Sequence, residues 1–209
     1  PQTSVELVRR LRDAVSPEVR VLGLEIDPER VALAQQIDEP GLRFALGGFE
    51  IPSADTPVLI RAANVLRQYP ESSVRDHWAM LLERCSRAVI DATCDELGRL
   101  CSWIALEPEV GPATFTISMQ LSSIQSPSDV AARLPKAMIH RNAPGDPVGE
   151  FLAQLDAIWR SQAPLATFGA RQRWIATVTE LEASGVEVIG GASRWRLGEL
   201  TVPARYFFP

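Results

Sequence analysis

Two acidic residues, Glu25 and Asp27, stand in the segment GLEIDPE, where a carboxylate could bind a ligand. Glu25 ends a short apolar run that is typical of a buried parallel strand, and Pro28 suits the first position of a helix. In open α/β sheets, ligands bind beyond the carboxyl ends of the strands, so a carboxylate there can accept hydrogen bonds from both hydroxyls of a ribose. We expect this of Glu25, whereas Asp27 should cap the helix. The alternative is that both acids form only a solvated cap.

The elements that position Glu25 follow from the spacing of hydrophobic residues. The predicted order is helix, strand, helix and strand, over residues 3–14, 19–24, 29–36 and 43–46. This order places Glu25 between a strand and the N-terminus of the helix that follows it.

A second polar strand end follows the apolar residues 57–60. Asn64 stands there as a candidate ligand, although its amide could equally cap the turn. Arg61 and Arg67 flank it and could bind an acidic group of a substrate, unless they are simply solvated. Because the next buried strand contains Asp91, we expect Glu25, Asn64 and Asp91 to lie along one edge of a sheet.

These motifs resemble those of class I S-adenosylmethionine-dependent methyltransferases. In that family a strand ends in an acidic residue, an apolar residue and a helix start containing Pro-Glu, as in GLEIDPE, and an N-V-L motif follows a later strand, as in ANVLRQY. The resemblance implies that Glu25 binds the ribose of S-adenosylmethionine and that Ile26 packs on its adenine. It also implies that Asn64 lies close to the sulfonium and the substrate.

One position departs from the family pattern. After the strand predicted over residues 43–46, Gly48 stands where the family has an acidic residue that meets the adenine amino group. The adenine contact is therefore expected from the backbone amide of Phe49 or from the carboxylate of Glu50.

The resemblance also implies a fold. We expect an α/β protein with a Rossmann-like, mostly parallel, doubly wound sheet and a terminal antiparallel hairpin, in one domain over residues 1–209 with an insertion around residues 100–149. The family has an earlier central strand and a glycine-rich loop, and neither stands before Pro1. We therefore expect an N-terminally truncated sequence that binds S-adenosylmethionine weakly or not at all.

A loop rich in proline and glycine, residues 135–149, contains several polar side chains that could select a substrate. Arg141 and Asn142 are the candidates for substrate binding there. Methyl transfer needs a base only if the acceptor retains a proton, and His140 is then the first choice. The alternative is a solvated connection.

Composition limits the classes of partner. A formal charge of −5 and a pI near 5.2 argue against a nucleic-acid surface, and no apolar run approaches the roughly 20 residues of a membrane span. Three cysteines without a C-x-x-C pair fit neither a disulfide framework nor a zinc site, so we expect a reducing cytoplasm. With only two histidines, no metal is expected. The remaining expectation is a small-molecule substrate.

Two other functions share these features. An acidic strand end also suits the ribose of a nicotinamide cofactor, so an oxidoreductase is an alternative. A non-catalytic binding domain on the same scaffold is another, and the sequence upstream of Pro1 would separate the three.

Overall fold

Two short parallel strands and two helices form the N-terminal part of the chain. A computed structural model describes residues 2–208 and divides the chain into a first unit, Pro1–Thr56, and a second unit, Pro57–Pro209. The elements of the first unit are α1 (Gln2–Ala14), β1 (Val21–Glu25), α2 (Pro28–Ala34) and β2 (Leu42–Leu46).

The transition from β1 to α2 is set by local hydrogen bonds. The Asp27 carboxylate accepts hydrogen bonds from the backbone amides of Glu29 at 2.9 Å and Arg30 at 3.4 Å, and Pro28 occupies the start of the helix. An N-cap of this kind satisfies amides that have no partner within the helix. The predicted strand, the cap and the helix are thereby confirmed, with β1 extending to Glu25.

A five-stranded sheet organises the second unit. Its strand order is β3-β4-β5-β6-β7, and its α-helices are α3, α4, α5 and the short α6. The bounds are β3 (Leu59–Ala63), α3 (Val74–Leu82), β4 (Ala88–Cys94), β5 (Leu100–Glu107), β6 (Gly111–Met119), α4 (Pro147–Ser161), α5 (Ala170–Ala183), α6 (Ala192–Trp195) and β7 (Glu199–Pro203).

The prediction of a mostly parallel sheet is wrong. In the second unit β3 pairs with β4 in parallel, whereas β4–β5, β5–β6 and β6–β7 are antiparallel. The reason is that β4, β5 and β6 follow one another through short turns, and a parallel pair would need a long crossover. The segment predicted as an insertion supplies β5 and β6. The chain is thus a mixed α/β protein with one five-stranded mixed sheet and one two-stranded parallel sheet.

The end of the chain differs in part from the predicted hairpin. The last strand, β7, runs antiparallel to β6, as predicted. Of the strand expected just before it, only an isolated antiparallel bridge forms, between Ile189 and Thr201. Helix α6 occupies the residues between them, so the connection is longer than a tight hairpin turn.

The core of the second unit lies between the sheet and its helices. Phe115 of β6 contacts Phe207, which also meets Phe151 of α4, with ring centroids 5.3 and 5.4 Å apart. Between α4 and α5, the guanidinium of Arg173 stacks 3.8 Å from the ring centroid of Trp159 and its Nε donates to the Trp159 carbonyl at 2.9 Å. These contacts hold the two long helices, α4 and α5, against one hydrophobic core.

That both units belong to one domain stays a prediction.

Among residues 2–208, no helix combines the length and the apolar character that crossing a membrane requires.

Candidate functional site

The Glu25 side chain lies at the carboxyl end of β1 and faces the start of α2. Its Oε1 accepts hydrogen bonds from the backbone amides of Ile26 at 2.9 Å and Asp27 at 3.2 Å. Its Oε2 lies 3.7 Å from a guanidinium nitrogen of Arg30. The carboxylate is therefore held in one orientation at the strand end, with about a third of the side chain exposed.

The end of β2 lies beside it. Glu25 and Leu46 are register partners, and the amide of Gly47 donates to the Glu25 carbonyl at 3.0 Å. The Glu50 carboxylate turns back to accept the amide of Gly48 at 2.8 Å. A Cβ placed on Gly48 would lie 3.6 Å from Ile26 Cγ2, so the two strand ends are in contact.

We call Glu25, Ile26, Gly48 and Glu50 the strand-end cluster; Phe49 lies within the same turn. It combines two carboxylates with an apolar side chain, since Ile26 is 70% exposed. Because glycine has no side chain, Glu50 Oε2 and Ile26 Cγ2 can come within 3.2 and 3.6 Å of the position that a Cβ of Gly48 would take. Such a surface offers acceptors for hydroxyl groups beside an apolar contact for a flat ring.

Asn64 follows β3 in the second unit and is held by β4. Its backbone has a left-handed φ of 59°, its amide donates to the Ala92 carbonyl at 2.8 Å, and its Oδ1 accepts the amide of Cys94 at 2.9 Å. Asparagine tolerates this conformation better than most residues. The side-chain oxygen therefore joins the ends of two parallel strands.

The two arginines beside Asn64 have different surroundings. Arg61 is exposed on β3, whereas Arg67 donates to the carbonyl of Ala132 at 3.0 Å. Desolvation by burial and the nearby positive charge of Arg133 lower the pKa of Arg67 from its ordinary value. Arg67 thus helps to hold the neighbouring segment, and a role for either arginine in substrate binding stays a prediction.

Arg141 anchors the C-terminal segment. It donates to the carbonyl of Phe207, lies 3.3 Å from the Asp146 carboxylate, and has its guanidinium carbon 5.6 Å from the ring centroid of Phe208. Asn142 borders an open cavity of about 350 Å³ beside the start of α4. Of the two predicted substrate ligands in this loop, Asn142 therefore borders this cavity, whereas Arg141 holds the C-terminal segment.

The predicted base, His140, has an acidic neighbour that the sequence pattern did not indicate. Its Nε2 lies 3.6 Å from Oε2 of Glu71, and the His140 side chain is 72% exposed. A carboxylate beside one ring nitrogen favours a particular orientation and tautomer of an imidazole. The two residues are far apart in sequence, so no local motif could have paired them.

Asp91 does not lie at a strand end, contrary to prediction. It sits in the middle of β4, opposite Ile104 of β5, and is 1% exposed. Burial raises the pKa of its carboxyl group to about 6, and the hydrogen bond that it accepts from Trp78 Nε1 at 3.0 Å opposes that rise. The strand runs further than predicted, to Cys94, so Asp91 faces the core rather than a ligand.

The cysteines also differ from expectation. Cys94 at the end of β4 and Cys101 at the start of β5 form a disulfide, while Cys85 is free and buried. The two residues are register partners in antiparallel strands, which brings their side chains together. The sequence contained one usable signal, a turn with Gly98 between the two cysteines.

The structure thus brings Glu25, Ile26 and Glu50 together with the Phe49 turn in the first unit. Asn64, Arg61, Arg67, His140, Arg141 and Asn142 all belong to the second unit. Across residues 2–208, no group of three or more histidine, cysteine or acidic side chains is arranged to hold a metal ion.

Comparison with known proteins adds no relative: no family model matches the chain, and no curated protein or solved structure is significantly similar to it.

Proposed function

We propose that this protein is an S-adenosylmethionine-dependent methyltransferase acting on a small molecule, in which β1, α2 and β2 form a Rossmann-like strand–helix–strand unit. The observation that carries the proposal is the strand-end cluster, in which Glu25 and Ile26 meet Gly48 and Glu50 beyond two parallel strands. This is the place where α/β proteins bind nucleosides.

Glu25 suits the ribose. The amides of Ile26 and Asp27 orient its carboxylate through Oε1, and an ionised carboxylate has about four lone-pair sites in total. Two neighbouring hydroxyls can therefore bind the remaining sites without breaking the contacts that position the group. Hydrogen bonds to an ionised acceptor are the stronger kind.

Ile26 and the turn after β2 suit the adenine. The exposed Ile26 side chain would lose contact with water under an aromatic ring, which stabilises the complex. The Phe49 amide and the Glu50 carboxylate are the candidates for hydrogen bonds to the polar edge of the adenine ring. Glu50 has the chemistry to accept a hydrogen bond from an exocyclic amino group.

The bound cofactor would supply an activated methyl group, whose transfer leaves a neutral thioether behind. The protein's contribution is then mainly to align acceptor and methyl group, and alignment alone can provide much of a rate enhancement. For the second unit, a position of Asn64 beside the sulfonium and acceptor binding by Asn142, Arg61, Arg67 and Arg141 stay predictions. His140, oriented by Glu71, takes the proton of an acceptor that carries one.

In the complete protein, Glu25→Gln should weaken the binding of S-adenosylmethionine about tenfold while the fold survives. Glutamine keeps the size but removes the charge, and a hydrogen bond to an ionised acceptor is worth about 1.5–3 kcal/mol against about 1 for a neutral one. Isothermal titration calorimetry of both proteins with the cofactor measures the difference. Far-UV circular dichroism checks the fold.

Asp27→Ala is the matched control, because Asp27 stands two residues after Glu25 at the same strand end. Asp27 accepts the amides of Glu29 and Arg30, so its loss should cost about 1 kcal/mol of helix stability with little change in affinity. Loss of binding in Asp27→Ala but not in Glu25→Gln would contradict the assignment. Titration with a nicotinamide dinucleotide in parallel tests the oxidoreductase alternative, since its ribose would use the same carboxylate.

A further inference from the structure

The disulfide between Cys94 and Cys101 stands at the same strand end as Asn64. Asp95, the next residue after Cys94, donates its amide to the Leu100 carbonyl at 2.9 Å. In an antiparallel ladder this makes Cys94 and Cys101 the neighbouring pair without mutual backbone hydrogen bonds, where side chains come closest. The sulfur bridge therefore follows from the register of β4 and β5.

The bridge closes only a short loop. The two cysteines are seven positions apart and are already joined by a turn, in which the Asp95 carboxylate accepts the amide of Arg99 at 2.7 Å. Because β4 and β5 continue as paired strands from here to Leu106, the hairpin does not depend on the sulfur bond. The stabilisation that a disulfide provides is smaller for shorter loops.

The disulfide also affects the surroundings of Asn64, which is a candidate functional residue. The Cys94 amide donates to Asn64 Oδ1, so the covalent link holds the hydrogen-bond partner of the Asn64 side chain in place. Both cysteines are half-buried, whereas Cys85 is buried. The pair thus combines partial exposure, strands that are paired beyond the disulfide, and contact with the Asn64 turn.

We propose that Cys94 and Cys101 form a reversible redox site whose disulfide orders the Asn64 turn. The oxidant is a low-molecular-weight disulfide of the glutathione class. One cysteine thiolate attacks a sulfur of that disulfide and expels one thiolate, and the second cysteine then attacks the mixed disulfide and expels the other. Two electrons pass from the cysteine pair to the small molecule, and the two protons appear on the two thiols released.

Hydrogen exchange on the full chain tests this inference without any ligand. The protein is equilibrated in buffers with different ratios of reduced to oxidised glutathione, and the thiols are counted by alkylation and mass spectrometry. We expect the pair to convert fully in both directions while circular dichroism stays native. The Cys94 amide should exchange about tenfold faster in the reduced form, because its local opening becomes easier.

Two variants complete the test. The double variant Cys94→Ser, Cys101→Ser should show the faster exchange in every buffer, and Cys85→Ser should respond to the buffers as the parent protein does. A disulfide that resists reduction in the native protein, an unfolded reduced form, or equal exchange in both forms would overturn the proposal. None of these outcomes depends on cofactor binding, so the proposed function is tested separately.

Discussion

Phe207→Ala should lower the free energy of unfolding of the second unit by about 3–5 kcal/mol. Phe207 is fully buried and its ring meets Phe115 of the sheet and Phe151 of α4. The substitution removes the apolar contact and leaves a cavity between sheet and helix that neighbouring rigid rings fill poorly. The effect should therefore be among the largest that one side chain can produce here.

The tryptophans make this measurement specific. All five, Trp78, Trp103, Trp159, Trp174 and Trp195, belong to the second unit, so fluorescence during urea unfolding reports on that unit alone. Phe168→Ala is the matched control, because that phenylalanine is 74% exposed and should change stability by less than about 0.5 kcal/mol. Similar losses in the two variants would show that Phe207 does not hold the core together.

Asp91→Asn should stabilise the second unit at pH 8 and remove much of its pH dependence. Burial raises the pKa of Asp91 from 3.8 to about 6 in the folded protein. Between these values the folded state binds more protons at Asp91 than the unfolded state does, so the contribution of Asp91 to stability is fully present below pH 4 and is lost as the pH rises through 6. The difference corresponds to about 3 kcal/mol.

Asparagine has no charge to bury, and its side-chain oxygen can still accept the hydrogen bond from Trp78 Nε1. Thermal melts from pH 4 to pH 8, followed by tryptophan fluorescence, measure the effect. Asp76→Asn, on the exposed face of the same helix as Trp78, should keep the parent protein's pH dependence. The same pH dependence in the parent protein and in Asp91→Asn would contradict the raised pKa of Asp91.

The parts of the fold that the sequence predicted well depend on short-range chemistry. The Asp27 cap and Pro28 at the helix start each act within a few residues, and both were confirmed. The helices α4 and α5 also depend on short-range chemistry, because their buried residues repeat with the helical period.

Strand direction and pairing were predicted less well because they depend on distant partners. Strand β4 continues past Asp91 to Cys94, and the pairing of Cys94 with Cys101 was not predicted. For the same reason Asp91 was placed at a strand end. A strand end and a strand centre look alike in sequence when apolar and small residues continue past both.

The sequence likewise predicted some features of the candidate site and missed others. Glu25 and Ile26 are adjacent in sequence, and their position at a strand end could be read from GLEIDPE. Glu71 beside His140, and the contacts that hold Arg141 to Phe207 and Asp146, arise only when separate segments meet. Their identification required coordinates because no spacing rule connects residues across the fold.

The five-stranded sheet also has a consequence for how the chain folds. β4, β5 and β6 pair through neighbouring segments, whereas β7 reaches β6 from far along the chain, with the hydroxyls of Thr116 and Thr201 meeting across 85 positions. Contacts of such long sequence separation form late, because loop-closure entropy opposes them until the intervening helices are in place. During refolding β6 should therefore remain an open edge for a time, and pulse-labelled hydrogen exchange should protect β4 and β5 before β7.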